Sequence, residues 1–199
     1  HVAALSSTGQ LYAWGYNSYG QLGDGTNTSR TAPVAISGFT NVADVKVNAN
    51  NPQDSTMVLK TDGTVWATGY NAEGALGDGT TSNRNVFTRE STNKTNIASI
   101  FLGGDRSAMV DTAGNLYLTG SNSDGNLGSN DTTNRTTYYA PTGTFQGKVS
   151  KVVFGGNNLD GNAFTYILDT DGNVWSAGFG TQGQLGRGIA TTGATLFQK

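Results

Sequence analysis

The chain has 199 residues, no cysteine and a single histidine, and its formal net charge at pH 7 is −2. This composition excludes a disulfide framework and a thiolate metal site, and it leaves almost no side chains for a histidine metal site or for Ser-His-Asp catalysis. The sequence shows neither the basic surface that nucleic acid requires nor the run of about 20 apolar residues that spans a membrane. We therefore predict no catalytic residue, metal or cofactor, no nucleic-acid partner and no membrane insertion.

The first predicted elements are two short strands joined by a tight turn. Val2–Leu5 and Leu11–Gly15 are rich in apolar residues and flank a turn at Thr8-Gly9. A glycine loop follows directly from Gly15 to Gly23, with the sequence Gly-Tyr-Asn-Ser-Tyr-Gly-Gln-Leu-Gly. After this loop, Val42–Val47 is apolar and β-branched enough to form a further strand.

The same hairpin and glycine loop recur three more times, at a period of roughly 50 to 58 residues. The turn glycines of these copies are Gly63, Gly114 and Gly172, and their glycine loops begin at Gly69, Gly120 and Gly178. The predicted strands are Thr56–Leu59, Val65–Gly69, Asn85–Thr88, Ile97–Leu102, Ser107–Val110, Leu116–Gly120, Val149–Phe154, Thr165–Leu168 and Val174–Gly178. At Asp62-Gly63, the Asp-Gly pair predicts a two-residue turn in which both residues have positive φ.

Four short strands per unit, apolar on both faces and without helical periodicity, predict an all-β propeller with about four radially stacked blades. The repeats are expected at about 1–54, 55–105, 106–162 and 163–199, within a single domain. Eight side chains at equivalent positions are expected to be mostly buried between strands or blades: Tyr12, Leu22, Trp66, Leu76, Tyr117, Leu127, Trp175 and Leu185.

The repeat resembles that of the regulator of chromosome condensation family. That family's repeat combines a turn glycine, an aromatic-bearing strand that ends in Gly, then an Asn, and a closing Gly-Gln-Leu-Gly. Gly20–Gly23 and Gly183–Gly186 match this closing sequence fully, whereas Gly74–Gly77 and Gly125–Gly128 depart from it at one position. The resemblance covers the whole chain, and the repeats look like bacterial or phage-type members. It implies a β-propeller, usually with seven blades.

Only three strands of the Val42–Val47 type accompany the four hairpins. A closed ring of equal blades needs one such strand for each hairpin, because closure pairs the first and last segments. We therefore predict an open part of a larger, seven-bladed ring and an internal piece of a longer polypeptide. Further blades of the same chain or a neighbouring subunit should cover its two end faces. A self-contained four-bladed ring is the alternative.

Three arginines and two tyrosines are candidate partner-binding residues. Arg30, Arg84 and Arg135 each lie seven residues after the last glycine of their loop, so they can bind an anionic partner or bridge blades. Tyr138 and Tyr139 replace the region of Val86-Phe87 in another repeat and can present an aromatic pair or pack an edge strand.

One further candidate partner-binding residue is Asp160, in the non-repeating segment Gly155–Asn162. The segment Asp169–Asn173 resembles the start of a calcium loop. It lacks the later acidic ligand, and it aligns with the hairpin turns of the other repeats, so we interpret it as a turn.

These observations favour a non-enzymatic binding or structural module whose end-face loops contact a protein or a glycan. Charged residues make up only 13% of the chain, and a neutral polar surface of this kind is common in secreted, cell-surface and virion (tail-fibre-like) proteins. A second hypothesis, which rests on the family resemblance, is a guanine-nucleotide exchange factor that also binds chromatin. A third is a glycan-cleaving enzyme, which needs a carboxylate pair about 5–9 Å apart that nothing in the sequence identifies.

Overall fold

The computed structural model describes residues 1–48, 54–141, 143, 145–156, 161–188 and 193–199. Every regular element in this part of the chain is a β-strand, as the sequence predicts. The strands are β1 (Val2–Leu5), β2 (Leu11–Gly15), β3 (Arg30–Ala35), β4 (Val42–Val47), β5 (Ser55–Lys60), β6 (Val65–Gly69), β7 (Arg84–Arg89), β8 (Ile97–Gly103), β9 (Arg106–Asp111), β10 (Leu116–Gly120), β11 (Arg135–Tyr139), β12 (Val149–Gly155), β13 (Phe164–Asp169), β14 (Val174–Gly178) and β15 (Ala194–Gln198). Over these same ranges, no helix has the length and apolarity that crossing a membrane requires.

The strands form four antiparallel sheets, each of which is one blade of a propeller. The first blade has three strands in the order β1-β2-β3, and the other three have four strands each, in the orders β4-β5-β6-β7, β8-β9-β10-β11 and β12-β13-β14-β15. The predicted all-β propeller architecture is therefore confirmed. Among the described residues, the first blade has no counterpart of β4.

The sheets are out of phase with the sequence repeat. β4 pairs with β5, with Val45 opposite Val58, so the strand that closes the first predicted repeat begins the second blade. The second, third and fourth sheets accordingly start at Val42, Ile97 and Val149, ahead of the predicted repeat boundaries. β4 contacts β8, and β8 contacts β12, so these first strands lie closest to one another and line the inside of the arc.

The four hairpin turns share one geometry, and it differs from the predicted two-residue turn. Gly9, Gly63, Gly114 and Gly172 all have positive φ, between 75° and 84°, but Asp62 does not. The amide of Gly63 donates to the carbonyl of Lys60 at 3.0 Å, and the amide of Lys60 donates to the carbonyl of Thr64 at 2.9 Å. The loop therefore has three residues, and the prediction of a two-residue turn is wrong. A tight turn followed by a left-handed glycine also suits the twist of the paired strands.

The hydrophobic core is divided into three clusters that lie between neighbouring blades. The four loop leucines are buried as predicted: Leu22 and Leu127 are 0% exposed, Leu76 1% and Leu185 5%. The four strand aromatics (Tyr12, Trp66, Tyr117 and Trp175) are only half-buried, which is less than predicted. Lysine ammonium groups lie over three of these rings, for example that of Lys94 at 4.0 Å from the ring centre of Tyr117.

Each of the first three glycine loops receives an aromatic side chain from the following blade. A Cβ placed on Gly23 would lie 2.4 Å from the ring of Phe87, and one on Gly77 would lie 2.3 Å from the ring of Tyr138. Gly128 has the same relation to Phe197. In the fourth blade a Cβ on the equivalent Gly186 would meet no described atom within 4 Å apart from its chain neighbours, and the same holds for Gly172, Gly183 and Gly188. The far face of this blade is therefore open, as expected for an open part of a larger propeller.

Candidate binding surface at the glycine-loop end

The arc has two ends of different character. In every blade the strand after the hairpin turn (β2, β6, β10 or β14) runs towards the glycine loop, so the hairpin turns lie at one end and the glycine loops at the other. The glycine loops also reach across to the next blade: the amide of Gly25 donates to the carbonyl of Asn85 at 2.8 Å, and that of Gly79 donates to the carbonyl of Thr136 at 2.9 Å. The glycine-loop end is thus a continuous surface rather than four separate tips.

A buried asparagine organises each of the first three glycine loops. Asn71 is 0% exposed, and its Oδ1 accepts a hydrogen bond from the amide of Leu76 at 3.0 Å. Its Nδ2 donates to the carbonyls of Thr80 at 3.0 Å and Ser82 at 3.1 Å. Asn17 and Asn122 make the corresponding bonds in their own loops. One side chain therefore joins both halves of a loop that has no regular secondary structure.

The three candidate arginines are bound within these same loops. The Nε of Arg84 donates to the Oδ2 of Asp78 at 2.6 Å, and its guanidinium also reaches the hydroxyl of Thr80 at 3.1 Å. Arg30 pairs with Asp24 in the same way, and Arg135 pairs with Asp131 at 2.6 Å. Their side chains remain between a quarter and a third exposed. Binding of an anionic partner by these arginines therefore stays a prediction, and such a partner would compete with the existing carboxylates.

The electrostatics of these pairs keep the loop aspartates ionised. Burial works to raise the pKa of Asp78, but hydrogen bonds from Arg84 and Thr80 outweigh it and hold the pKa below its ordinary value. For Asp24 burial acts in the same direction, and the hydrogen bonds from Thr26 and Arg30 again lower the pKa. Each pair therefore presents a nearly neutral surface to solvent.

The two candidate tyrosines do not form an exposed aromatic pair. Tyr138 is 6% exposed, its hydroxyl is 2.7 Å from that of Ser107, and its ring fills the space against Gly77. Tyr139 is half-buried and its hydroxyl donates to the carbonyl of Leu127. Burial raises the pKa of both tyrosines above the ordinary value. Of the two alternatives that the sequence left open, packing within the sheet applies to Tyr138 and outward exposure does not. The remaining candidate, Asp160, lies outside the described residues.

The calcium-like segment is a hairpin turn, as interpreted from the sequence. The carboxylate of Asp169 accepts hydrogen bonds from the amide of Asp171 at 3.0 Å, the amide of Asn173 at 2.8 Å and the indole of Trp175 at 2.9 Å. Asp111 caps the equivalent turn in the third blade. In the part of the chain that the structure describes, no group of three or more His, Cys, Asp or Glu side chains is placed to hold a metal ion.

Three tyrosines from the first two blades lie at the glycine-loop end, where Tyr16 is exposed and Tyr19 and Tyr70 are half-buried. Tyr16 is 42% exposed and follows the last residue of β2. Tyr19 lies in the same loop and meets Tyr70 of the second blade edge-on, with ring centres 5.3 Å apart. The repeat motif does not point to Tyr19, because this residue occupies a variable position of the loop. The one indication in the sequence is that Tyr19 is aromatic where the other repeats have the polar residues Glu73, Asp124 and Gln182.

A groove lies beside Tyr19, between the first glycine loop and the start of β7. Its volume is about 240 Å³, and it is lined by Tyr19, Asn27, Asn83, Arg84, Asn85 and Val86. Val86 is 51% exposed, and three amide side chains also line the groove: that of Asn27 in the glycine loop and those of Asn83 and Asn85 beside Val86. The groove therefore combines an aromatic ring and an apolar side chain with several hydrogen-bonding groups.

Comparisons with known proteins agree with this architecture. A family model for the regulator of chromosome condensation (RCC1) repeat matches residues 8–49. The mouse E3 ubiquitin-protein ligase HERC2 is 32% identical over 194 residues, which cover 93% of this chain and 4% of that protein. The structure of human WBSCR16 superposes with a TM-score of 0.81 at 22% identity, covering 98% of this chain and 48% of the other. The structure of Prp20p from Saccharomyces cerevisiae superposes with a TM-score of 0.75 at 19% identity, covering 98% of this chain and 47% of Prp20p.

The fold and the repeated loops define the class of protein to which this chain belongs, the β-propellers. Within that class, the chain belongs to the regulator of chromosome condensation repeat family. It spans a small fraction of the ligase and about half of each of the two solved propeller chains.

Proposed function

We propose that this chain is a non-enzymatic binding module, a rigid propeller segment whose glycine-loop end contacts a protein or a glycan. The observation that carries the proposal is the exposure of Tyr16 beside the Tyr19–Tyr70 pair at that end. Exposed tyrosines offer a large contact area with a polar tip, and they are enriched where proteins bind partners. The hydrogen-bonded loops beneath them fix the surface before binding, which lowers the entropic cost of association.

The nature of the surface supports a neutral partner. The loop arginines are neutralised by loop aspartates, and the whole chain carries only a small net charge. A protein partner is also supported by the yeast relative Prp20p, whose crystal structure is described together with its binding to Gsp1p and histones. We place the module in a secreted, cell-surface or virion protein because its surface is rich in uncharged polar residues. Fractionation of the source material with an antibody against the segment tests this location.

Site-specific photo-crosslinking tests the binding surface. Tyr16 is replaced by a benzoyl-phenylalanine, and the labelled chain is irradiated with an extract of the source material. We expect a discrete adduct that excess unlabelled chain suppresses and that the Tyr16→Ala chain does not suppress. The matched control carries the same label at Thr112, an exposed residue in a hairpin turn at the opposite end. Equal adducts from both positions, or none from Tyr16, would refute the proposed surface.

A further inference from the structure

The groove beside Tyr19 differs from the two equivalent sites in the chain. Strand register places Arg84 opposite Gly69 and Arg135 opposite Gly120, so Asn83 and Asn134 are equivalent residues just before β7 and β11. Both lie next to the preceding blade's glycine loop, where Tyr19 of the first blade is equivalent to Glu73 of the second. The difference between Tyr19 and Glu73 decides whether the side-chain amide of this asparagine already has an acceptor.

At the second site a carboxylate occupies the amide donor. The Nδ2 of Asn134 donates to the Oε2 of Glu73, while its Oδ1 accepts from the amide of Asn122 at 2.8 Å. At the first site the Oδ1 of Asn83 accepts from the amide of Asn71 at 2.8 Å, so the side-chain amide has the same fixed orientation. Tyr19 offers no carboxylate, and the Nδ2 of Asn83 has no acceptor among the described residues. The side-chain amide of Asn83, which lines the groove, is therefore held in place with a donor that no described protein group uses.

The other polar groups of the groove are oriented as well. The Nδ2 of Asn85 donates to the Oδ1 of Asn27 at 3.1 Å and to the carbonyl of Gly25 at 3.3 Å, which leaves the Oδ1 of Asn85 as an acceptor. The Nδ2 of Asn27 donates to the carbonyl of Ser18 at 2.9 Å. Arg84 brings no net charge, because its guanidinium is paired with Asp78 at 2.6 Å. The groove thus offers a fixed donor, a fixed acceptor, an aromatic ring and an apolar side chain without net charge.

We propose that this groove binds one neutral sugar residue, a hexose or N-acetylhexosamine, of a glycan. A pyranose carries hydroxyls that both donate and accept hydrogen bonds, and its C–H face packs on an aromatic ring. Asn83 Nδ2 and Asn85 Oδ1 supply the partners for two hydroxyls, and the ring of Tyr19 supplies the apolar contact. This inference rests on the proposed function and narrows its partner to a glycan at one groove. Anionic ligands are disfavoured because Arg84 is already neutralised.

NMR titration tests the site directly. The ¹⁵N-labelled chain is titrated separately with methyl β-glucoside, methyl β-galactoside and N-acetylglucosamine. We expect at least one of them to bind with a dissociation constant on the order of millimolar, as befits a single small ligand with few contacts. The shifted resonances should include the side-chain amides of Asn83 and Asn85. They should not include the backbone amide of Thr112 at the opposite end.

The chain supplies its own matched variants. Tyr19→Glu copies the second site, so its carboxylate should engage Asn83 and weaken sugar binding at least tenfold with the fold retained. Glu73→Tyr makes the reverse change and should release Asn134, whose side-chain amide would then shift with the same sugar. Thr112→Ala, in the exposed hairpin turn at the opposite end, should leave the affinity unchanged. If Tyr19→Glu proves unstable, Asn83→Ala serves as the loss variant.

The inference is overturned if none of the three sugars shifts the Asn83 and Asn85 amides, or if Tyr19→Glu binds as well as the parent chain. Shifts of these amides by an uncharged peptide, with none by the sugars, would also overturn it and assign the groove to a protein partner. Loss of sugar binding together with a retained Tyr16 adduct would leave the proposed function standing. Loss of both would refute the two proposals together.

Discussion

Replacing Gly77 by Ala tests how neighbouring blades are joined. Gly77 has φ of +67°, and a Cβ on it would lie 2.3 Å from the ring of Tyr138 in the next blade. Gly186 is the equivalent residue of the fourth blade, with φ of +69°, and a Cβ on it would meet no described atom within 4 Å apart from its chain neighbours. The two substitutions therefore share the backbone strain, and only one of them adds a clash.

The expected magnitudes follow from this difference. A Cβ in the left-handed region costs roughly 1–2 kcal/mol, and this applies to both variants. At Gly77 the ring of Tyr138 cannot move away freely, because it is buried and its hydroxyl is held by Ser107. Overpacking of this kind adds about 1–3 kcal/mol. We therefore expect Gly77→Ala to lower the free energy of unfolding by about 2–5 kcal/mol and Gly186→Ala by only about 1–2 kcal/mol.

Urea unfolding followed by tryptophan fluorescence measures both values. A double-mutant cycle adds a second test, because Tyr138→Ala removes the ring that a Cβ at residue 77 would strike. The clash component should then disappear, so the loss in Gly77→Ala/Tyr138→Ala should be smaller than the sum of the two single losses. Equal losses of unfolding free energy for Gly77→Ala and Gly186→Ala, together with strict additivity in the cycle, would refute the close packing of the Tyr138 ring against Gly77.

Three further outcomes are expected. Asn71→Ala should destabilise the chain by at least about 2 kcal/mol in urea unfolding, because the amide of Leu76 loses its partner inside the loop; an effect below 0.5 kcal/mol, the usual size at an uninvolved surface position, would contradict this. The hydrogen bond from the Trp175 indole lowers the pKa of Asp169 most; burial opposes it, hydrogen bonds from Asn173 add to it, and the resulting pKa is about 2. The contribution of this carboxylate to stability is therefore present above the ordinary pKa of 3.8 and is lost as the pH falls towards 2. In Trp175→Phe the carboxyl pKa, followed by ¹³C NMR, should rise towards 3.8, and an unchanged value would exclude the indole as a cause. Tyr138→Phe should lower the free energy of unfolding in urea by only about 1 kcal/mol, because Phe87 and Phe197 pack against the equivalent glycines Gly23 and Gly128 without a hydroxyl.

The location of the strands was readable from the chain because glycine is needed where the backbone has positive φ. Gly9, Gly63, Gly114 and Gly172 are all in that region, and the strands on either side of them lie where the apolar segments predict. The assignment of strands to blades could not be predicted in the same way. Val42–Val47 has the same local pattern whether it closes one blade or opens the next, and only its pairing with β5 decides between them.

The candidate site shows a similar division. The recurrence of Arg30, Arg84 and Arg135 was visible in the sequence, but their partners were not, because Asp24 and Asp78 lie in loops whose folding brings them to the guanidinium groups. Burial of Tyr138 was hidden for another reason. Tyr138 is buried because its ring packs against Gly77 of the preceding blade, which lies 61 residues earlier in the chain.

The sequence by itself determined the fold class, the repeat and the positions of the turns, since these follow from local backbone requirements of glycine and from short-range apolar patterns. It also restricted the chemistry, because a chain without cysteine and with one histidine has few side chains for metal binding or nucleophilic catalysis. Only the tertiary structure decided which side chains meet between blades. Tyr19 and Asn83 are 64 residues apart, and they line one groove because the first glycine loop packs against the start of β7. Contacts of that kind depend on how whole blades stack, and no local pattern in the chain encodes them.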